Sequence, residues 1–177
     1  SLYHKLGSFI VMSIVHVYFR ERFPLIPVLL FSVGYAALVL GVTSPDNFWS
    51  SNIYESLNRL LLISNVFFFF LLRQRTTDEF RDALHDKTHF PDRPVSRGHI
   101  SREKILCRGI FAFSMDVASA FLLSPQGFVL YIFVLLYSAL MACKFFSRTW
   151  LDTHFTIDFI VHEIIFILFG RYFISVL

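Results

Sequence analysis

The chain of 177 residues is 55% hydrophobic, carries 23 Phe and is only 16% charged. That balance excludes an ordinary soluble domain and reads as an integral membrane protein. The formal net charge is +3, and the basic residues sit in stretches between apolar runs, which speaks against a nucleic-acid surface.

Residues 6–19 are uncharged but only 14 long, and they lead into the charged knot Arg20-Glu21-Arg22. This reads as a helix lying at the membrane interface within residues 1–22. Residues 24–42 hold no charge over 19 positions, enough to cross a bilayer core as a helix. A second span is expected over residues 54–73, around the run Phe67 to Phe70, with Glu55 and Arg59 reaching toward the headgroups. Residues 74–104 form a polar helix and loop. Further spans are expected over residues 105–123, 125–143 and 155–177, the last carrying Asp158, His162, Glu163 and Arg171. The fold class is all-α: a single polytopic helical membrane domain with about five transmembrane helices.

Loop charge sets the orientation. Residues 43–56 contain no Lys or Arg, and residues 123–127 contain no charge at all. Residues 73–108 hold nine of the 16 basic residues. If the helices alternate, Arg20, Arg22, Lys144 and Arg148 fall on that same side, which the positive-inside rule assigns to the cytoplasm. No cleavable signal-peptide pattern is visible. The chain opens on Ser1 and is expected to belong to a longer reading frame. Cys107 and Cys143 each lie in an apolar stretch and read as small core residues.

Between the second and third spans lies TDEFRDALHDKTHFPDRPVSRG. Asp78, Asp82 and Asp86 recur every four residues and form one stripe on a helix, with Glu79 on nearly the same face. No Gly or Pro interrupts residues 70–86, so the second helix is expected to carry these carboxylates out of the membrane. Four like charges on one face repel one another. They are either a solvated face, with Arg81 and Lys87 as ion-pair partners, or a site for a divalent cation. Mg²⁺ takes oxygen ligands and is usually held by one or two carboxylates plus substrate phosphates. Lys87, Arg93 and Arg97 follow, and such cations suit phosphate. Carboxylates for a metal and cations for phosphate are what cleavage of a diphosphate ester requires.

This string resembles the first aspartate-rich motif of the UbiA superfamily of intramembrane prenyltransferases, written N-D-x-x-D-x-x-x-D. Asp82 and Asp86 fall on its last two aspartates, Glu79 stands at its first, and Asp78 stands where Asn is usual. Arg93-Pro94-Val95-Ser96-Arg97-Gly98 is similar to the R-P-hydrophobic-x-x-G stretch that follows the motif in that family. The resemblance implies a helical bundle around a lipid-facing cavity. It implies a polyprenyl diphosphate bound through Mg²⁺ and transfer of the prenyl group to a small acceptor, either aromatic or a phosphosugar. By the same resemblance Asp78, Glu79, Asp82 and Asp86 hold metal, Asp82 and Asp86 are catalytic, and Lys87, Arg93 and Arg97 contact the diphosphate.

The resemblance covers the N-terminal half of that fold, whose members carry a second aspartate-rich motif further along. Asp152, Asp158 and Glu163, spaced by six and five, do not recreate it. Three expectations follow: the chain is a fragment, a second half or subunit completes it, or it does not catalyse. In the last case it is a non-catalytic membrane protein or subunit that binds a polyprenyl phosphate or a divalent cation.

Other residues have plainer readings. Asp116, inside the third span, is expected to face a cavity or a partner. Asp158 and His162 share a helix face as a pair. Asn65 is expected to bond a neighbouring helix. Phe67 to Phe70, Tyr131 and Tyr137 read as core aromatics before cavity lining, and Lys104 and Arg108 as contacts to anionic lipid.

Overall fold

The computed structural model describes residues 18–43, 52–98 and 100–177. Its elements are α1 (Leu25–Thr43), α2 (Ile53–Arg81), α3 (Ala83–His89), α4 (Arg102–Leu123), α5 (Phe128–Ala142), a 3₁₀ turn (Lys144–Phe146), α6 (Arg148–Thr153) and α7 (Phe155–Val176). No strand occurs among the described residues. Of the expected interfacial helix, residues 1–17 lie outside the described residues; residues 18–21 form a helical turn.

Four helices, α1, α2, α4 and α7, are long and apolar enough to cross a membrane, as an all-helical membrane protein requires. The expected span over 125–143 is shorter than the others. Its helix, α5, has 15 residues, about 22 Å at 1.5 Å per residue, against a hydrocarbon core of about 30 Å. Pro125 and Gly127 fall in the turn before it, where Ser124 Oγ accepts from the Gly127 N–H at 3.0 Å. At the other end Lys144, Phe145 and Phe146 all take positive φ, 48°, 49° and 58°, and reverse the chain. For L-residues each such conformation costs about 1–2 kcal/mol.

The central helix is α2. Asn52 caps it by accepting from the Tyr54 N–H at 3.1 Å, which satisfies one of the free amides of the first turn. Its main neighbour is α4, with α1 on another side and α5 behind. In α1, Ser32, Ala36 and Leu40 recur every four residues and are the buried stripe. In α4 the buried stripe is Ala112, Asp116, Ser119 and Ala120. The core is aromatic: Tyr35 stacks on Phe67 with ring centres 4.2 Å apart, and Phe169 meets Phe70 edge-on at 4.6 Å. On the four long helices most outward positions are large apolar residues, the inversion expected where the solvent is lipid.

Asp116 is fully buried. Arg73 Nε of α2 donates to Asp116 Oδ2 at 3.1 Å, while Arg73 Nη1 donates to Ser138 Oγ of α5 at 2.8 Å. Tyr131 Oη of α5 donates to the other carboxylate oxygen. One ion pair thus ties α2, α4 and α5 together inside the bundle, the paired outcome of the two expected for Asp116.

Two expectations are corrected. The Asn65 side chain is exposed and makes no hydrogen bond among the described residues. Cys107 and Cys143 are exposed rather than in the core. In both cases an apolar helix leaves most of its circumference to lipid, so position within an apolar stretch does not imply burial in protein.

Candidate functional site at the acidic end of the bundle

α2 runs about two turns past its apolar part and ends at Arg81, with Asp82 at φ −97° and ψ 7°. The backbone ladder continues through this kink: the Asp82 N–H donates to the Asp78 carbonyl at 2.9 Å, and the Asp86 N–H to the Asp82 carbonyl at 2.7 Å. The carboxylates nevertheless do not form the single expected stripe. They divide into two groups, because different arginines draw them apart.

Glu79 and Asp86, both buried, form the first group. Arg22 reaches in from the N-terminal segment, its Nε 2.7 Å from Glu79 Oε1 and its Nη2 3.8 Å from Asp86 Oδ2. Arg75 also pairs with Glu79 at 3.3 Å, and Arg93 donates to Asp86. The knot Arg20-Glu21-Arg22 is therefore more than a topology signal. Glu21 receives Arg97 at 3.1 Å, so Arg97 braces the N-terminal segment.

Asp78 and Asp82 form the second group, bridged by Arg81 at 2.8 and 2.9 Å. Arg148 of α6 stands 3.5 Å from Asp82. Burial pushes the Asp78 carboxyl above its ordinary value, and Arg81 and Arg75 offset this only in part. Burial pushes Asp82 the same way, but the hydrogen bond from Arg81 and the charges of Arg81, Arg148 and Lys144 prevail and hold it below the ordinary value. The hydrogen bond from Lys144 does the same for Asp152. Neighbouring carboxylates thus differ in proton affinity because they have different partners.

Among the described residues, three cavities meet this end. The first, about 430 Å³, is lined by Asp82, His85, Asp86, Phe90, Arg93, Lys144, Arg148 and Asp152. It sets three carboxylates against three cations from two separate loops. The second, about 270 Å³, lies on the other side of Asp86 and includes Glu79, Lys87, Ser96 and Arg102. The third, about 190 Å³, is amphiphilic: Gln74, Thr77, Asp78, Arg81, His162 and Glu163 line its polar part, and Phe70, Leu71, Met141, Ile165 and Phe166 its apolar part.

Of the residues singled out in sequence, Asp82, Asp86 and Arg93 line the first cavity, and Lys87 lines the second with Glu79 and Asp86. Asp78 lines the third. Arg22, Lys144, Arg148 and Asp152 were missing from that set. The basic pair after the fourth span is visible in the sequence, where it reads only as an orientation signal. Asp158 and His162 are an intrahelical pair at 3.5 Å, with Lys144 also 3.5 Å from Asp158.

The donor chemistry suits a hard cation, since Asp82, Asp86 and Asp152 offer only oxygen to the first cavity. Among the described residues no three His, Cys, Asp or Glu side chains converge as a ready-made cage. Mg²⁺ does not need one, because it keeps several waters and takes phosphate oxygens from its substrate. No family model, curated protein or solved structure matches the chain.

Proposed function

We propose that the chain is a UbiA-type prenyltransferase unit that binds a polyprenyl diphosphate at the acidic end and passes the prenyl group to a small acceptor. The observation that carries this reading is the 430 Å³ cavity, where carboxylates and cations from separate loops face one another. Arg93, Lys144 and Arg148 serve the phosphate oxygens, and Asp82 and Asp86 hold Mg²⁺. When bound, the metal neutralises charge that gathers on the leaving diphosphate. The allylic carbon–oxygen bond breaks, the diphosphate leaves with the electron pair, and the acceptor bonds to the allylic carbon and loses a proton. The amphiphilic cavity beside Asp78, polar at one part and apolar at the other, supports a lipid substrate with a charged head. On the positive-inside reading, this end faces the cytoplasm.

A second reading has its own support. Every carboxylate of the motif is already paired with an arginine. That favours a non-catalytic protein or subunit that binds a polyprenyl phosphate, since paired carboxylates are not free to hold a metal.

The test is binding of a polyprenyl diphosphate with and without Mg²⁺, with Asp82→Ala and Asp86→Ala alongside. Metal-dependent binding lost in both variants is expected. Binding that ignores Mg²⁺ and survives both substitutions sinks the metal-bridged site. Product formation with an aromatic or phosphosugar acceptor then separates enzyme from binding protein.

A further inference from the structure

A second concentration of charge lies where the N-terminal segment meets α2 and α4. Gly109 of α4 approaches Thr76 of α2 so closely that an added Cβ would lie 3.2 Å from the Thr76 hydroxyl. Arg75 and Arg108 flank that contact. The Arg108 guanidinium lies over the Tyr18 ring, with its Cζ 4.7 Å from the ring centre. Tyr18 is fully buried, packed with Phe23, Leu72, Ile100 and Ile105.

Three polar atoms in this place, Tyr18 Oη, Arg75 Nε and Arg108 Nη1, are buried and have no hydrogen-bond partner among the described residues. All three can donate. Burial, and next the charge of Glu79, push the Tyr18 hydroxyl up to about 12, so it remains a donor at neutral pH. Buried donors without an acceptor are rare in stable proteins, and three together call for a common acceptor. The charge balance has the same sign. Arg22 and Arg75 share Glu79, while Asp86 is divided between Arg22 and Arg93, so positive charge is in excess before Arg108 is counted.

We propose that Tyr18, Arg75 and Arg108 form an oxyanion site that takes a phosphate group, separate from the acidic cavity. A phosphate monoester carries about −1.5 to −2 at neutral pH and offers three acceptor oxygens, matching both the excess charge and the three donors. Guanidinium groups suit it through their planar fork. The site does not rest on the prenyl-transfer reading. Its phosphate comes either from the monoester headgroup of a phosphatidic acid at the membrane surface or from a water-soluble phosphate.

The test titrates the purified chain, in phosphate-free detergent micelles, with inorganic phosphate and separately with short-chain phosphatidic acid. Tyr18→Phe removes the unpartnered hydroxyl without opening a cavity, so the free protein is expected to melt no lower than wild type. Its affinity for the binding probe is expected to fall about tenfold, the loss of one hydrogen bond to a charged group. Arg108→Gln is expected to weaken binding further. Inorganic phosphate binding that responds to both variants supports the site with a soluble source. A response seen only with phosphatidic acid supports it with a headgroup source. Binding of neither probe, or Tyr18→Phe binding as tightly as wild type, overturns the proposal. So does binding lost in Arg148→Gln but kept in Tyr18→Phe, which would place the phosphate in the acidic cavity.

Discussion

Asp116 and Asp86 are both buried carboxylates held by arginine, yet their surroundings differ. Asp116 lies between helices, and Arg73 and Tyr131 occupy its two oxygens. It lines none of the three cavities at the acidic end. Asp86 is paired with Arg93 and Arg22, which come from a loop and from the N-terminal segment, and it lines two cavities at once. Burial alone therefore does not separate a structural ion pair from a site. What separates them is whether space for a ligand adjoins the carboxylate, and whether its partners sit on segments free to exchange one anion for another.

The comparison breaks most visibly inside the bundle. Asp116→Ala leaves Arg73 uncompensated there and is expected to lower stability by about 3–5 kcal/mol, read as a fall in the unfolding midpoint in detergent. Arg73→Met combined with Asp116→Leu is expected to recover much of that loss, since the pair is worth little more than apolar packing of similar volume. Equal damage from the double variant would show that the pair specifies the fold.

At the acidic end, Asp86→Asn is expected to weaken metal-dependent diphosphate binding by about 10- to 100-fold, the value of one charge-assisted contact. The melting temperature is expected to fall less than for Asp116→Ala. Arg148→Gln is milder still. Its side chain is half exposed, so stability is expected to stay within about 1 kcal/mol of wild type. Diphosphate binding is expected to weaken several-fold and to lose part of its salt dependence, read by titration at two ionic strengths.

The smallest effect sharpens the contrast inside the motif. Asp82 is held below its ordinary value of 3.8, so its contribution to stability is present above that value and lost as pH falls through the lowered one. Asp78 is raised, so its contribution has the opposite sense, present below 3.8 and lost as pH rises through the raised value. Melting temperature against pH is therefore expected to shift in opposite directions in Asp82→Asn and Asp78→Asn. A common direction would mean that one shared partner governs both groups.

The long spans were legible because an uncharged run of suitable length has few alternatives in water or lipid. α5 was harder to bound: neither Lys144, Phe145 nor Phe146 is a residue type that announces a left-handed turn. The acidic motif and Arg93 could be read from local spacing. The division of its carboxylates could not, because it depends on Arg22 and Arg148, 57 and 66 positions from Glu79 and Asp82. The exposure of both cysteines was missed for another reason. Hydrophobicity in a membrane helix reports preference for lipid as much as for protein.

The brevity of α5 has a consequence for the shape of the membrane itself. An apolar helix about 8 Å shorter than the surrounding slab draws its flanking polar groups inward or thins the bilayer beside it. Lys144 and Arg148 stand at that end, opposite Asp82. Lipids next to α5 therefore meet a thinned edge bordered by the ion-paired Lys144 and Arg148, and a long-chain molecule drifting sideways in its own leaflet can bring a polar head to these groups without first rising into bulk water.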